Sequence, residues 1–264
     1  MVDPVAMPKA SLADPVVKRI LSAGDEHAVS AIDWLDGKQA RTSLRRRAWW
    51  CVVGGWLMVT VATAVSALVA WNFSQNAGDI FADKIPFVAV VLSPVLMGLT
   101  CVLLVGGVTA FFNDSFPGLS MTNSAIDWAG TGDAVSRLLS VGCTYPEAFR
   151  TAAEVTRTRS NRLWLTNAAK KVEQGATHLQ DQSDTDGDPA IVELLVQSEE
   201  SDPSVSWRIV ADHFIEVARS RLALLLSTGP VLSTLLAGLI IWLSISATLG
   251  SMWRHALQTI QGLS

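Results

Sequence analysis

Three long apolar stretches without a single Asp, Glu, Lys or Arg govern what this chain can fold into: Ala48–Trp71, Ile85–Phe112 and Leu222–Trp253. Each is long enough, at 1.5 Å per helical residue, to cross a hydrocarbon layer of roughly 30 Å. A helix at the surface of a soluble domain needs a polar face, and these stretches have none. Backbone groups in lipid must be satisfied internally, so the expectation is three transmembrane helices. With 264 residues, half of them apolar, the chain has room for those spans and one modest helical domain.

The polar remainder falls into four pieces. Residues 1–47 form an N-terminal tail, 72–84 a short loop, 113–221 a block of about a hundred residues, and 254–264 a C-terminal tail. The tail lacks the apolar centre of a secretory signal, so the first span is expected to stay in the mature chain. Arg41, Arg45, Arg46 and Arg47 abut the first span, whereas the loop carries Lys84 alone beside Asp79 and Asp83. Arg219 and Arg221 precede the third span, and only Arg254 follows it. The positive-inside rule then places the N-terminus and the polar block in the cytoplasm, the short loop and C-terminus outside. Trp49, Trp50, Trp71, Trp242 and Trp253 fall mostly near span ends, where amphipathic rings settle.

The polar block reads as helix after helix, with no alternating strand pattern. A helix over Asp133–Val141 is expected to end at Gly142, which tolerates the left-handed conformation. Thr144-Tyr145-Pro146-Glu147 looks like a capping box opening a helix with Ala148, Phe149, Ala152, Ala153 and Thr156 on one face. Another helix spans about Asn161–Gln174, stopped by Gly175. Residues 180–189 read as a polar loop and 190–200 as a further helix. Asp202-Pro203 opens the last one, in which Trp207, Val210, Phe214 and Val217 share a face and which continues into the third span. The tail is too sparse in apolar residues for a core of its own; a short helix over Ala28–Trp34 is expected there. Pro86 suits a helix start, and Pro94 is expected to kink or break the first turns of the second span. The fold class is therefore an all-α membrane protein with an antiparallel helical bundle between the second and third spans.

Several chemistries are disfavoured. Gly54-Gly55 and Gly106-Gly107 lie in apolar spans with no Lys nearby, which is no phosphate loop. His27, His178, His213 and His255 are scattered, and Cys51, Cys101 and Cys143 form no ligand pattern, so no metal or cofactor is expected. The net charge of −4 gives no reason to expect a nucleic-acid partner. The acids of Asp184-Thr185-Asp186-Gly187-Asp188 alternate as in a calcium loop, but Pro189 and Leu195 stand where Gly and Glu are needed. The spans contain no ionisable residue for coupled transport. Ser66, Ser93, Ser244 and Ser246 are too few and scattered to line a channel. Ala62, Ser66 and Ala70 suit close helix packing instead. Arg157, Arg159, Arg162, Lys170 and Lys171 gather positive charge on one region: a solvated face, or in the sharper reading a docking surface for an acidic partner protein. Glu199 and Glu200 precede the last helix, where carboxylates favour its dipole, and join the candidate docking residues.

The order of these pieces resembles the type II secretion F domain of inner-membrane platform proteins. Leu138-Leu139-Ser140-Val141-Gly142 followed by Glu147-Ala148 is similar to the family's Leu-Leu-x-x-Gly … Glu-Ala opening. Gly175 with Leu179, Pro189, and the Ser198-Glu199-Glu200-Ser201 turn follow in the family's order, and the last helix leads to Pro230 and Gly238. Ser198 and Asp202 replace both glycines of the family's turn. The resemblance covers a little under half the chain and one F domain where full-length platform proteins have two, as in the half-size subunits of tight-adherence pili. It implies a non-enzymatic part of a type II secretion or type IV pilus-like machine in the cell inner membrane. The implied partners are a secretion ATPase, a pilin or pseudopilin, membrane lipid, and a second copy or sister platform subunit. The reading from a different class is a membrane-anchored sensor or regulatory subunit whose helical domain binds a signalling partner.

Overall fold

The computed structural model describes residues 13–81, 87–113, 116, 119–175, 191–192 and 202–262. The fold is all-helical, and no strand occurs among the described residues. In chain order the helices are α1 (Pro15–Ala23), α2 (Ala28–Phe81), α3 (Phe87–Asn113), α4 (Leu119–Ser140), α5 (Tyr145–Val155), α6 (Arg159–Glu173) and α7 (Pro203–Gly262). A 3-10 turn, Asp25–His27, joins α1 to α2. Stretches of α2, α3 and α7 are long and apolar enough to cross a membrane.

The chain divides into two compact units. The first comprises Met1–Ala48 and Ser120–Ala223, the second Trp49–Leu119 and Leu224–Ser264.

In the first unit the helix ends expected at Gly142, Gly175 and Asp202 hold, whereas the Thr144 side chain of the expected capping box makes no capping hydrogen bond at the start of α5. The Gly142 N–H donates to Leu139 O at 2.9 Å and the Cys143 N–H to Leu138 O at 3.0 Å, closing α4. Gly142 takes φ +86° and Gly175, after α6, φ +78°, values a side chain would strain. Asp202 accepts from the Ser204 N–H at 3.0 Å and starts α7. The face Ala148, Phe149, Ala152 and Ala153 is buried as expected, as are Leu165, Ala168 and Ala169 of α6 and Trp207, Val210 and Phe214 of α7. Their rings interlock: Trp207 and Phe149 lie 5.4 Å apart edge-to-face, and Trp128 stacks on Phe214 at 6.0 Å.

Three expectations are corrected. The helix expected over Asp133–Val141 begins at Leu119, because Ala125, Ile126, Trp128 and Ala129 extend its buried stripe upstream. The N-terminal tail is no loose appendage. Val16, Val17, Ile20, Ala31 and Trp34 are buried in the same core as the polar block. Each stripe is too short to build a core alone, yet long enough to complete one that other helices supply. Lastly, most of the expected loop 72–84 is helical, since α2 continues to Phe81. Pro94 lies inside α3 without ending it, and Pro86 is outside the described residues.

In the second unit, most buried positions are small or hydroxylated, among them Ala62, Ala67, Ala70 and Ala237 beside Thr63, Ser66, Ser93 and Ser244, while Leu96, Phe116 and Leu119 are the larger buried side chains. Thr63 returns its hydroxyl to Val59 O at 2.8 Å, which spares an uncompensated polar group. Trp56 donates Nε1–H to Leu103 O at 3.1 Å and sits on Gly107, where a Cβ would come within 2.6 Å of Nε1. The double glycine of α3 is thus a seat for an indole, a packing use typical of membrane helices. In the most apolar stretches of α3 and α7 only 6% and 11% of residues are buried, as expected of surfaces facing lipid.

Candidate functional site

The chemistry-bearing residues of the first unit concentrate where α2 meets α4. Asp127 and Asp133 are acids on a helix otherwise buried through Ala125, Ile126, Trp128 and Ala129. A carboxylate in such surroundings needs a charged partner or several hydrogen bonds. Arg41 Nη1 donates to Asp133 Oδ2 at 2.8 Å. Arg45, one turn on, pairs with Asp127. Since 41 meets 133 while 45 meets 127, α2 and α4 run in opposite directions here.

Each acid is served more than once. Asp133 also accepts from Arg137 Nε at 2.7 Å. Asp127 accepts from the Thr158 N–H at 2.8 Å and from the Thr158 hydroxyl, so it orients the start of α6. A third pair ties α1 in: Asp14 caps α1 through the Val16 N–H at 2.9 Å and accepts from Lys38 and, at 3.3 Å, Trp34 Nε1. The Arg41 guanidinium lies 4.7 Å from the centre of the Trp34 ring, a cation–π contact.

Beside these pairs is a cleft of about 80 Å³ walled by Trp34, Lys38, Arg41, Arg45, Asp127 and Arg157, with Thr131 and Thr156 behind them. The two threonine hydroxyls are 3.1 Å apart. Four cations and one acid line the cleft.

No known protein family, characterised protein or solved structure matches this chain.

The expected docking residues do not act as one surface. Arg157 stands exposed at the cleft. Arg162 turns back, donating Nε–H and Nη2–H to Thr156 O at 3.2 and 2.7 Å, and so closes the open end of α5. Arg159 is exposed in the first turn of α6, and Lys170 is exposed in its last turn, where a cation suits the helix dipole. Lys171 is half-buried. Glu199 and Glu200 lie outside the described residues, as do Pro189 and the 184–188 acids.

Glu147 does more than open a helix. Its carboxylate meets Arg19 of α1 at 2.8 Å. That hydrogen bond, with the accompanying charge attraction, holds Glu147 below the usual carboxylate range and raises Arg19 further. Burial pushes the neighbouring Tyr145 phenol up. Among the described residues, no cluster of three or more His, Cys, Asp or Glu is arranged to hold a metal.

Asp14, Asp127 and Asp133 are the residues that sequence reasoning passed over. The signal for two of them was an acid at each end of the Trp128–Gly132 stretch, an apolar and small-residue segment in need of a cation.

Proposed function

We propose that this chain is a non-enzymatic platform subunit of a type II secretion or type IV pilus-like machine in the cell inner membrane. It would couple a cytoplasmic ATPase to the handling of pilin or pseudopilin subunits. The observation that carries this reading is the coincidence of the family-like residues with helix junctions. Gly142 and Gly175 end α4 and α6 in the left-handed conformation, Glu147 opens α5, and α7 runs unbroken through Pro230 and Gly238. A bundle built around one F-like segment, with α1 and the start of α2 filling its remaining side, suits a half-size subunit that works with a second copy or a sister subunit.

The proposed orientation has the bundle and N-terminus in the cytoplasm and the C-terminus outside. Arg41 and Arg45 are engaged by Asp133 and Asp127, yet Arg46 and Arg47 remain exposed beside the first span and keep the positive-inside bias. Affinity purification of the full chain in mild detergent is the direct test. Recovery of a secretion ATPase, a pilin-like protein or a sister subunit is expected. Recovery of a kinase or transporter in their place assigns the chain to signalling.

A further inference from the structure

Arg41 and Arg45 are only partly used by their carboxylates. Arg41 Nη2 and Arg45 Nε are buried and have no hydrogen-bond partner among the described residues. Buried donors of a charged group are rarely left without an acceptor. Both side chains line the small cleft together with Lys38 and Arg157. Asp127, the one acid lining it, already accepts from Arg45 and from two donors of Thr158. The cleft is therefore lined by four cations against a single acid that is itself already engaged.

We propose that this cleft binds a phosphate-type oxyanion. Guanidinium groups present planar, permanently charged donors that match phosphate oxygens. Trp34 beneath Arg41 fixes one guanidinium in place before any ligand arrives. Lys38 spends one contact on Asp14, and an ammonium has three donors. A volume of about 80 Å³ has room for one tetrahedral group. Two sources share this chemistry: a free phosphate and the headgroup of an anionic phospholipid. Arg45 stands three residues before Ala48, where the first apolar span begins, so on one continuous helix it lies about 4.5 Å of rise from that boundary. That position suits a headgroup, and basic pockets next to spans bind such lipids.

The test uses the purified full chain in two arms. In detergent, inorganic phosphate is titrated and thermal unfolding followed. In nanodiscs of phosphatidylcholine with or without phosphatidylglycerol, native mass spectrometry counts retained anionic lipid. Arg157→Gln alters an exposed residue and leaves the ion pairs intact. Arg45→Lys keeps a charge opposite Asp127 but removes Nε. Arg159→Gln is the control, an exposed cation two residues away that does not line the cleft. Saturable binding in at least one arm is expected, weakened about tenfold by Arg157→Gln and by Arg45→Lys and unchanged by Arg159→Gln. A response to phosphate identifies the free oxyanion, and retention of phosphatidylglycerol alone identifies the headgroup. The proposal is overturned by no binding in either arm, by equal weakening from Arg159→Gln, or by a poly-glutamate peptide outcompeting phosphate.

Discussion

The Arg41 guanidinium donates to the Asp133 carboxylate at 2.8 Å across 92 residues of sequence, with both side chains largely buried. Breaking such a pair from one side strands the other charge, a cost of about 3 kcal/mol. Asp133→Ala is expected to destabilise the bundle by that amount, because Arg41 and Arg137 lose their common acceptor. Arg41→Ala should cost a similar amount, and the double variant less than the sum by about 1–2 kcal/mol. Denaturant titration of the full chain in detergent measures this cycle; strict additivity refutes the pairing.

Gly132 sits where α4 packs directly against the backbone of α7. A Cβ there would lie 2.8 Å from Ala211 N and 3.0 Å from Trp207 O, both backbone atoms that cannot step aside. Gly132→Ala is expected to cost about 2 kcal/mol, the overpacking penalty exceeding the roughly 1 kcal/mol that Ala gains over Gly in a helix. Gly142→Ala meets open space but must adopt φ +86°, so it should cost about 1 kcal/mol by strain alone. Unfolding midpoints of the two variants, compared with the parent, give both numbers.

Phe149 is fully buried between Tyr145, Trp164 and Trp207. Phe149→Ala should remove about 4 kcal/mol through lost burial and the cavity left behind. Near-ultraviolet circular dichroism should lose the signature of the packed indoles in the same variant. An unchanged spectrum would contradict the packing described.

Glu147 carries the acid response. Its folded-state pKa lies below the unfolded value because Arg19 donates to its ionised form. The stabilisation is therefore complete above the ordinary carboxylate range, near pH 4.3, and fades as pH falls through the lower folded value. Both side chains are about half exposed, so the effect is modest and salt-sensitive. Unfolding midpoints at pH 5 and pH 3 should differ less in Glu147→Gln than in the parent.

How much of this was legible in the sequence follows from which interactions are local. The apolar spans, the glycine stops at Gly142 and Gly175 and the Asp202 cap depend on neighbours a few residues away, and each was readable in place. The α1 stripe of Val16, Val17 and Ile20 carries no local sign of burial, because its value depends on helices more than a hundred residues distant. Arg41 and Arg45 looked like flanking charges of a span, since nothing local says that Asp133 and Asp127 await them. The basic run from Arg157 to Lys171 looked uniform for the converse reason. Only folding separates Arg162, turned onto the end of α5, from Arg157 at the cleft.

Gly132 also limits how the bundle can move. Two helices whose backbones meet through a missing side chain have no layer of side chains to ride over, and the ridges on either side of the notch block translation. Sliding α4 along α7 therefore meets steric resistance, while parting them breaks the Ser136 Oγ–Ser204 O hydrogen bond and the Trp128–Phe214 stack. Were the two helices to separate, Trp128 and Phe214, stacked between them, would be exposed to water.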